Sequence, residues 1–348
     1  MERISKIAFP GIGIGEFELS NVAFDVADIF ALFGMKIDSF PVYWYGIIIT
    51  MGIVLAFVYT WFRGKYENVV LDDILDIGLW TVVLGVIGAR LYYVLTSLEE
   101  YIPKPFDFLQ FIKNVLYLRG GGLAIYGGII GGILGIIIVT RVKKMNTLKL
   151  FDMAGPGVMI AQALGRWGNF FNGEAFGGIV SEGHPLYFLR MGLLSRNTIS
   201  DFGTREMVYI HPTFLYESLW NIAGFVLINI FYKKKKFNGQ MACMYLAWYG
   251  FGRFFIESLR TDSLYVGPFR ISQVVGLLCF VVFGGLLVAG LIYSKKIEEK
   301  ENLSKLDKLL VVSIIQNPVF FEKKGDKTEK SINNNKNDTE EEENGTDN

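Results

Sequence analysis

Seven apolar runs, each close to the length of a membrane span, alternate with short polar stretches along the first 293 residues. A helix needs roughly 20 apolar residues to cross the hydrocarbon core of a bilayer. The pattern therefore predicts seven transmembrane helices, at about 42–62, 74–97, 121–140, 150–170, 213–232, 240–257 and 271–293. The fourth and sixth are the least apolar, because they carry charged residues and glycines. The predicted fold class is all-α, a polytopic integral membrane protein.

Composition agrees with this pattern. Hydrophobic residues make up 51% of the chain and the mean hydropathy is +0.36, which excludes a secreted water-soluble protein. The formal net charge is zero, so no overall basic field attracts nucleic acid, and we expect no nucleic-acid partner.

The charges are distributed unevenly, since 23 of them lie among the 55 residues from 294 to 348. We therefore divide the chain into a membrane domain, 1–293, and a polar, low-complexity tail, 294–348, which we expect to be disordered.

Lysine and arginine in the short loops predict the orientation. The loops after the first, third and fifth spans contain two, four and four basic residues within short stretches, whereas the opposite loops are longer and less densely basic. Basic loops mark the cytoplasmic side. The N-terminus is therefore predicted outside, and the C-terminal tail in the cytoplasm.

Metal and disulfide chemistry is not expected. The two cysteines, Cys243 and Cys279, lie far apart in apolar runs, and the only histidines are His184 and His211. This composition indicates neither a zinc site nor a disulfide framework. No metal or cofactor is predicted, and any thiol chemistry would use a thiol supplied by a substrate.

Several ionisable residues lie in or beside the predicted spans, where a charge is costly and commonly functional. They are Arg90, Arg166, Glu174, Glu217, Arg253 and Glu257. The arginines have fewer obvious partners than their number requires, which indicates a site for an anion. Arginine suits phosphate because its planar guanidinium binds two oxygens at once and stays charged.

Helical spacing sharpens this hypothesis. One stripe of the sixth span carries Tyr249, Arg253, Glu257 and Arg260. The alternative interpretation is that Arg253 and Glu257 simply neutralise each other. In the fourth span Arg166 and Asn169 form a second polar stripe, and the helix is predicted to break shortly afterwards. Two arginine-bearing helices favour a phosphate site over two coincidental internal pairs.

Two further motifs can each be interpreted in two ways. The glycines of GGGLAIYGGIIGGILG favour close helix packing, while Tyr126 at the start of that run is placed to line a cavity. His211, which precedes Pro212, is either a helix N-cap or a base that acts at neutral pH near the outer surface. His184 is interpreted as an ordinary loop residue.

Six segments together resemble the prolipoprotein diacylglyceryl transferase family. In chain order they are VYWYGI, GARLYY, GGLAIYGGIIGG, GRWGNFFNGEAFG, HPTFLYE and RFFIESLR, which span nearly all of the first 293 residues. The resemblance implies a seven-helix enzyme of the bacterial cytoplasmic membrane. Such an enzyme moves the diacylglyceryl group of phosphatidylglycerol to the lipobox cysteine of a prolipoprotein, the first step of lipoprotein maturation, and releases glycerol phosphate.

The resemblance also implies which residues act. The matching substrate-binding positions are Arg166, Asn169, Glu174, Gly177 and Tyr45. Catalytic positions are expected at Arg253, Tyr126, Glu257, Tyr249 and His211. The expected partners are phosphatidylglycerol, the signal peptides of prolipoproteins with their lipobox cysteine, and membrane lipids.

Tyr126 departs from the family pattern, because many members carry histidine there. That histidine has been assigned as a base for the cysteine thiol, whereas a tyrosine phenol ordinarily titrates near pH 10 and is a poor base at neutral pH. We therefore expect Tyr126 to orient the lipid headgroup or donate a hydrogen bond. The competing function class is a transporter of small solutes or lipids with a buried anion site.

Overall fold

The structure is a computed structural model that describes residues 4–105, 107–117 and 121–299. Within these residues the α-helices are, in chain order, α1 (Val26–Leu32), α2 (Trp44–Tyr66), α3 (Leu71–Thr96), α4 (Leu98–Tyr101), α5 (Phe108–Leu116), α6 (Ile125–Val142), α7 (Thr147–Asn172), α8 (Arg196–Phe202), α9 (Thr213–Tyr232), α10 (Gln240–Leu259) and α11 (Ile271–Glu299). The strands are β1 (Ile4–Phe9), β2 (Ile14–Ser20), β3 (Val22–Asp25), β4 (Pro41–Tyr43), β5 (Met191–Leu194), β6 (Val208–Ile210), β7 (Tyr265–Val266) and β8 (Phe269–Arg270).

Each of the seven predicted spans corresponds to one long helix. Five of these, α2, α3, α6, α9 and α11, are long and apolar enough to cross a membrane. Two more, α7 and α10, have 26 and 20 residues and are more polar, as the sequence predicts for the fourth and sixth spans. The prediction of a polytopic helical membrane protein is confirmed.

Glycines bring several helix pairs into backbone contact. A Cβ on Gly127 would clash with the carbonyl oxygen of Gly88, so α6 and α3 touch at the backbone. A Cβ on Gly250 would clash with the carbonyl oxygen of Gly276, so α10 and α11 also touch at the backbone. Small residues at such contacts allow close van der Waals packing where lipid supplies no hydrophobic drive. The packing interpretation of the glycine run in α6 is confirmed.

A small antiparallel sheet, which the all-α expectation omitted, lies at one end of the helices. Its strand order is β2-β1-β5-β6, so the first strand of the chain pairs with a strand about 180 residues later. The sheet buries an apolar cluster of Ile7, Phe176, Met191, Leu193, Val208, Ile210 and Phe214. This cluster anchors the long connection between α7 and α9.

The opposite end of the bundle carries the lysine-rich loops. Glu67, which follows α2, forms an ion pair with Lys235, which follows α9; its Oε1 lies 2.7 Å from Nζ of Lys235. The ring of Phe237 packs on Gly290 of α11. Lys143, which follows α6, forms an ion pair with Asp73 of α3, with Nζ and Oδ1 2.6 Å apart. The basic loops singled out by the sequence therefore share one end of the bundle. The predicted disorder of the tail concerns residues that, from 300 onward, lie outside the described part of the chain.

Candidate active site

A buried carboxylate, Glu217, gathers arginines from two other helices. Its Oε2 lies 2.7 Å from Nη2 of Arg166 on α7, and its Oε1 lies 2.8 Å from Nη1 of Arg253 on α10. Nη1 of Arg260, immediately after α10, also approaches Oε1, at 3.4 Å. One side chain on α9 thus holds three guanidinium groups together.

Tryptophans fix the helices that carry this cluster. The indole N–H of Trp220 on α9 donates to the carbonyl oxygen of Trp248 on α10 at 3.0 Å, and Trp248 donates back to Trp220 at 2.9 Å. The two indoles stack with centroids 4.2 Å apart. On the other side of α9, the indole of Trp167 donates to Ser218 Oγ at 3.2 Å. These contacts lie within one or two turns of Glu217, so they set the spacing of its arginine partners.

Further carboxylates balance the arginines. Nη2 of Arg253 lies 2.6 Å from Oε2 of Glu257, one turn later on α10, and Glu257 is almost fully buried. Arg260 donates from Nε and Nη2 to the two oxygens of Asp262, at 2.9 and 2.8 Å. Burial raises the pKa of Asp262, but the hydrogen bond and charge of Arg260 outweigh it and hold that pKa below the usual value. The site is therefore a network of ion pairs.

The C-terminal end of α7 extends this network through amide side chains. Nη1 of Arg166 donates to Asn169 Oδ1 at 3.4 Å, and Asn169 Nδ2 donates to Glu174 Oε1 at 3.1 Å. Asn172 also donates to Glu174 Oε1 at 3.1 Å. The helix ends at Gly173 in a left-handed conformation, φ +59°, which turns the chain so that Glu174 faces the amides.

A groove of about 1010 Å³ begins at this polar end. Its polar lining includes Asn21, Tyr45, Thr50, Asn172 and Glu174. Its apolar lining continues along α2 through Ile47, Met51, Val54 and Leu55. From Tyr45 to Leu55 the helix rises roughly 15 Å, so the groove is amphiphilic along its length.

Gly177 is a packing position. A Cβ there would lie 2.7 Å from Cβ of His211 and 2.9 Å from the carbonyl oxygen of Leu259. Its N–H donates to the carbonyl oxygen of His211 at 2.9 Å, and Gly177 also forms a β-bridge with Arg260. The glycine therefore lets the segment after α7 run directly beside the end of α10, which Arg260 follows.

His211 lies just outside α9, in contact with a second imidazole. Its ring centroid is 4.8 Å from that of His184, and its Nδ1 lies 3.3 Å from the hydroxyl of Tyr216. Burial, and then the charge of His184, lower the pKa of His211 below 6.5. The N-cap alternative is wrong, because Pro212 occupies the N-cap position and no side chain caps α9.

Comparison with known proteins identifies the family. The family model described as prolipoprotein diacylglyceryl transferase matches residues 33–290, about three quarters of the chain. The chain belongs to this family.

Relatives named phosphatidylglycerol--prolipoprotein diacylglyceryl transferase match a similar share of this chain. The protein of Clostridium novyi (strain NT) is 40% identical over 262 residues, which are 74% of this chain and 93% of the relative. The protein of Clostridioides difficile (strain 630) is 40% identical over 276 residues, 79% and 98% of the two chains. That of Bacillus cytotoxicus is 42% identical over 263 residues, 74% and 89%. Family membership, with the apolar helices, makes the protein a multi-pass membrane transferase rather than a transporter.

The structure brings five of the predicted diacylglyceryl transferase positions into one network. These are Arg166, Asn169, Glu174, Arg253 and Glu257. Tyr45 lies near this network, because Tyr45 and Glu174 both line the groove. The expectation that the arginines lack partners is wrong, because Glu217 bridges them. Arg253 does pair with Glu257, as the alternative interpretation held, but Arg253 also shares Glu217 with Arg166.

The remaining predicted residues lie beside this network. Tyr126 occupies the first turn of α6, where its ring packs 6.4 Å from that of Tyr92 on α3. Tyr249 lies one turn before Arg253, with its ring 6.2 Å from that of Tyr245.

Glu217, Arg260 and Asp262 were not assigned roles from the sequence. The ionisable side chain of Glu217 within a span was the signal for it, but its partners lie on other helices. Arg90 has a structural role. Its five N–H groups donate to backbone carbonyls at 2.7–3.0 Å, those of Asn114, Val115, Tyr117, Gly121 and Gly122. A buried arginine satisfied in this way fixes the connection that leads into α6.

Proposed function

We propose that the protein transfers the diacylglyceryl group of phosphatidylglycerol to the thiol of a lipobox cysteine in a prolipoprotein, the first step of bacterial lipoprotein maturation. The observation that carries this proposal is the pair of arginines that Glu217 bridges, because Arg166 is linked through Asn169 to Glu174 at the polar end of an amphiphilic groove. The relatives bear the name of this activity.

In this reaction the cysteine sulfur attacks the glyceryl carbon that bears the phosphate. A C–S bond forms, the C–O bond breaks, and its electron pair goes to the phosphate oxygen, so glycerol phosphate leaves. The thiol proton passes to a base. Because negative charge grows on the leaving phosphate, guanidinium groups held in place beside it lower the barrier.

Among the three arginines on Glu217, Arg166 is the best candidate to contact the phosphate. Its side chain is 21% exposed, against 13% for Arg253 and 10% for Arg260. Its amide link through Asn169 to Glu174 leads to the groove, which Glu174 lines. Arg253, held by Glu217 and Glu257, then supplies a second positive charge behind the phosphate.

The groove along α2 suits the acyl chains of the phospholipid. Its rise of roughly 15 Å along α2 matches about half of a 30 Å hydrocarbon core, the depth of one leaflet. Tyr45 lies at the junction between its polar and apolar parts. We propose that the headgroup lies near Glu174 and the acyl chains lie along Met51, Val54 and Leu55.

We assign supporting roles to the other predicted residues. Tyr126 orients the headgroup, because a phenol is a weak base at neutral pH. His211 is the candidate base, since its lowered pKa keeps the imidazole neutral at pH 7. Glu257 and Tyr249 position Arg253, and Gly177 allows Arg260 to approach Glu217.

The proposed location is the bacterial cytoplasmic membrane. The end of the bundle with Glu67, Lys143 and Lys235 faces the cytoplasm, since it carries the dense basic loops. The sheet, the N-terminus and the arginine network then lie toward the outside, where both amphiphilic substrates arrive from the outer leaflet. The family match ends at residue 290, which supports the proposed division into a membrane domain, 1–293, and a tail, 294–348.

The test reconstitutes the purified protein with phosphatidylglycerol and a synthetic lipobox peptide. We expect the peptide to gain the mass of a diacylglyceryl group, and a peptide with serine in place of the lipobox cysteine to gain none. A depleted bacterial strain that regains modified lipoprotein when supplied with the wild-type gene gives the matching result in cells. A folded protein that leaves the peptide unmodified, but moves glycerol phosphate across a vesicle membrane, would contradict the proposal and support a transporter.

A further inference from the structure

A closed loop between β3 and β4 contains α1 and is held shut by one carboxylate. Asp25 Oδ1 accepts from the backbone N–H of Ala27 at 2.9 Å and from that of Phe40 at 2.8 Å. Its Oδ2 accepts from the hydroxyl of Ser39 at 2.5 Å, and Val26 N donates to the carbonyl oxygen of Phe40 at 3.1 Å. We refer to residues 26–40 as the β3–β4 loop.

The β3–β4 loop exposes large apolar side chains although its ends are fixed. Leu32 is 84% exposed and Phe33 74% exposed. The other large exposed apolar side chains are Ile29, Phe30, Met35, Ile37 and Phe40. A group of large exposed apolar side chains within one short segment marks an interaction site.

The position of the β3–β4 loop identifies what covers it. β4 runs directly into α2, which begins at Trp44 and is long and apolar enough to cross a membrane. Outside the groove, α2 exposes Ile49 and Ile53, and the bilayer covers apolar side chains on this side of a spanning helix. Phe40 precedes Trp44 by four residues, so the apolar surface of the loop continues that of the helix at the level where the helix enters the bilayer.

We propose that the β3–β4 loop inserts its apolar tip, Leu32 and Phe33, into the phospholipid leaflet where α2 begins, and that Asp25 holds the loop in the inserting conformation. The partner is the phospholipid bilayer itself. Insertion of this kind reaches about 5–10 Å into the boundary between headgroups and acyl chains. This inference is independent of the transferase reaction.

Charge placement agrees with this arrangement. The charged residues of the β3–β4 loop are Asp28, Lys36 and Asp38, which leave Leu32 and Phe33 without a charged neighbour in sequence. The hydrogen bond from Ser39, followed by those from Ala27 and Phe40, holds the pKa of Asp25 below its usual value. Asp25 therefore stays ionised, and an acceptor only, throughout the neutral range.

The experiment measures membrane depth with spin labels. Cys243→Ser and Cys279→Ser remove the native thiols, and Phe33→Cys adds one at the tip; the protein is placed in nanodiscs of phosphatidylcholine and phosphatidylglycerol. The matched control is Glu206→Cys, an exposed polar position near the sheet. We expect the ratio of oxygen to nickel-complex accessibility to be several-fold higher at 33 than at 206.

Equal, water-like ratios at both positions would overturn the proposal. Dipolar broadening between labels at position 33, seen with two copies per disc and absent with one, would instead assign this surface to a second copy of the chain. Both outcomes are read from labelled protein in the bilayer, without an activity assay.

The role of Asp25 is tested in the same labelled background. Asp25→Asn removes the charged acceptor and is expected to make the label at 33 more mobile and shallower, whereas Asp28→Asn, in the same loop, leaves both unchanged. Ser39→Ala removes one of the three hydrogen bonds without changing charge and gives a smaller change in the same direction. Unaltered mobility and depth in both Asp25→Asn and Ser39→Ala would refute the role of Asp25.

Discussion

Glu217 and Arg166 join α9 to α7 through an ion pair of 2.7 Å between Oε2 and Nη2. The other oxygen of the same carboxylate lies 2.8 Å from Nη1 of Arg253 on α10. Glu217 is buried, so both contacts act in a medium that screens charge weakly. The carboxylate therefore sets the separation of two guanidinium groups before any phosphate arrives.

Glu217→Gln should reduce activity strongly. The amide keeps the shape but loses the charge that attracts Arg166, Arg253 and Arg260, a loss of about 3 kcal/mol or roughly a hundredfold in kcat/KM. The assay is transfer to a lipobox peptide, with thermal unfolding in detergent measured in parallel. Asp262→Asn is the control, because Asp262 is 44% exposed and pairs with Arg260 at the edge of the network. Equal losses in the two variants would contradict the central position of Glu217.

Arg166→Lys and Arg253→Lys should each lose most activity although the charge remains. Arg253 uses Nη1 for Glu217 and Nη2 for Glu257, and Arg166 divides its nitrogens between Glu217 and Asn169. A single ammonium cannot keep both contacts, and weakening the buried contacts of either arginine costs about 1.5–3 kcal/mol, at least roughly tenfold. Initial rates at saturating phosphatidylglycerol measure the effect.

Arg190→Lys is the control for both lysine variants. Its guanidinium stacks on the ring of Tyr187 at 3.9 Å, outside the Glu217 network, so its turnover should stay near that of the wild type. Wild-type turnover in a correctly inserted lysine variant at 166 or 253 would show that transfer does not need the two-nitrogen contacts of the arginine at that position.

Gly177→Ala should destabilise the protein, whereas Gly178→Ala should not. The new methyl group at 177 meets His211 and the backbone of Leu259 within 3 Å, while the space around Gly178 is open to 4 Å. Overpacking of this kind costs about 1–3 kcal/mol. Thermal unfolding of the two variants measures the difference, and a matched decrease in both would show that the tight contact at 177 is not the cause.

His211 should make folding stability depend on pH. Burial, and then His184, place the folded pKa of His211 below the 6.5 of an unfolded chain. Its contribution is therefore complete above pH 6.5 and is lost as the pH falls from 6.5 through the folded pKa. Thermal unfolding between about pH 5 and 8 should show this decrease in the wild type.

The matching variant is His211→Gln, which should show a flatter pH dependence across the same range. If His211 accepts the thiol proton, the transfer rate of the wild type falls with decreasing pH below 6.5, as His211 becomes protonated. This fall should be absent in His211→Gln. An unchanged acid limb in an active His211→Gln protein would exclude His211 as the base.

Tyr126→Phe should lower the rate about fivefold, the effect of one lost hydrogen bond of about 1 kcal/mol. Tyr126→His should remain active, because an imidazole also donates a hydrogen bond. The measurement is the pH–rate profile of the three proteins with saturating phosphatidylglycerol. Complete inactivity of Tyr126→Phe, with normal insertion and lipid binding, would instead assign the base to position 126.

The seven long helices were predictable because the thickness of the bilayer sets the length of each apolar run, and such a run is visible in consecutive residues of the sequence. The sheet was not, because β5 and β6 have only four and three residues, and β5 pairs with β1, which lies about 180 residues earlier in the chain. Such short segments carry too few positions to show an alternating pattern. The β3–β4 loop was overlooked for a related reason, since its exposed apolar residues do not form a span.

The sequence by itself determined the membrane fold, the positions of the spans and the residue types of the site, because hydropathy and costly intramembrane charges are properties of individual positions. Only the tertiary structure decided which charges meet. Arg166, Glu217 and Arg253 lie on three helices, and reciprocal packing of Trp220 and Trp248 sets the spacing of α9 and α10. Pairing energies depend on distances of a few ångström across helix contacts, and the order of residues along one chain does not specify them.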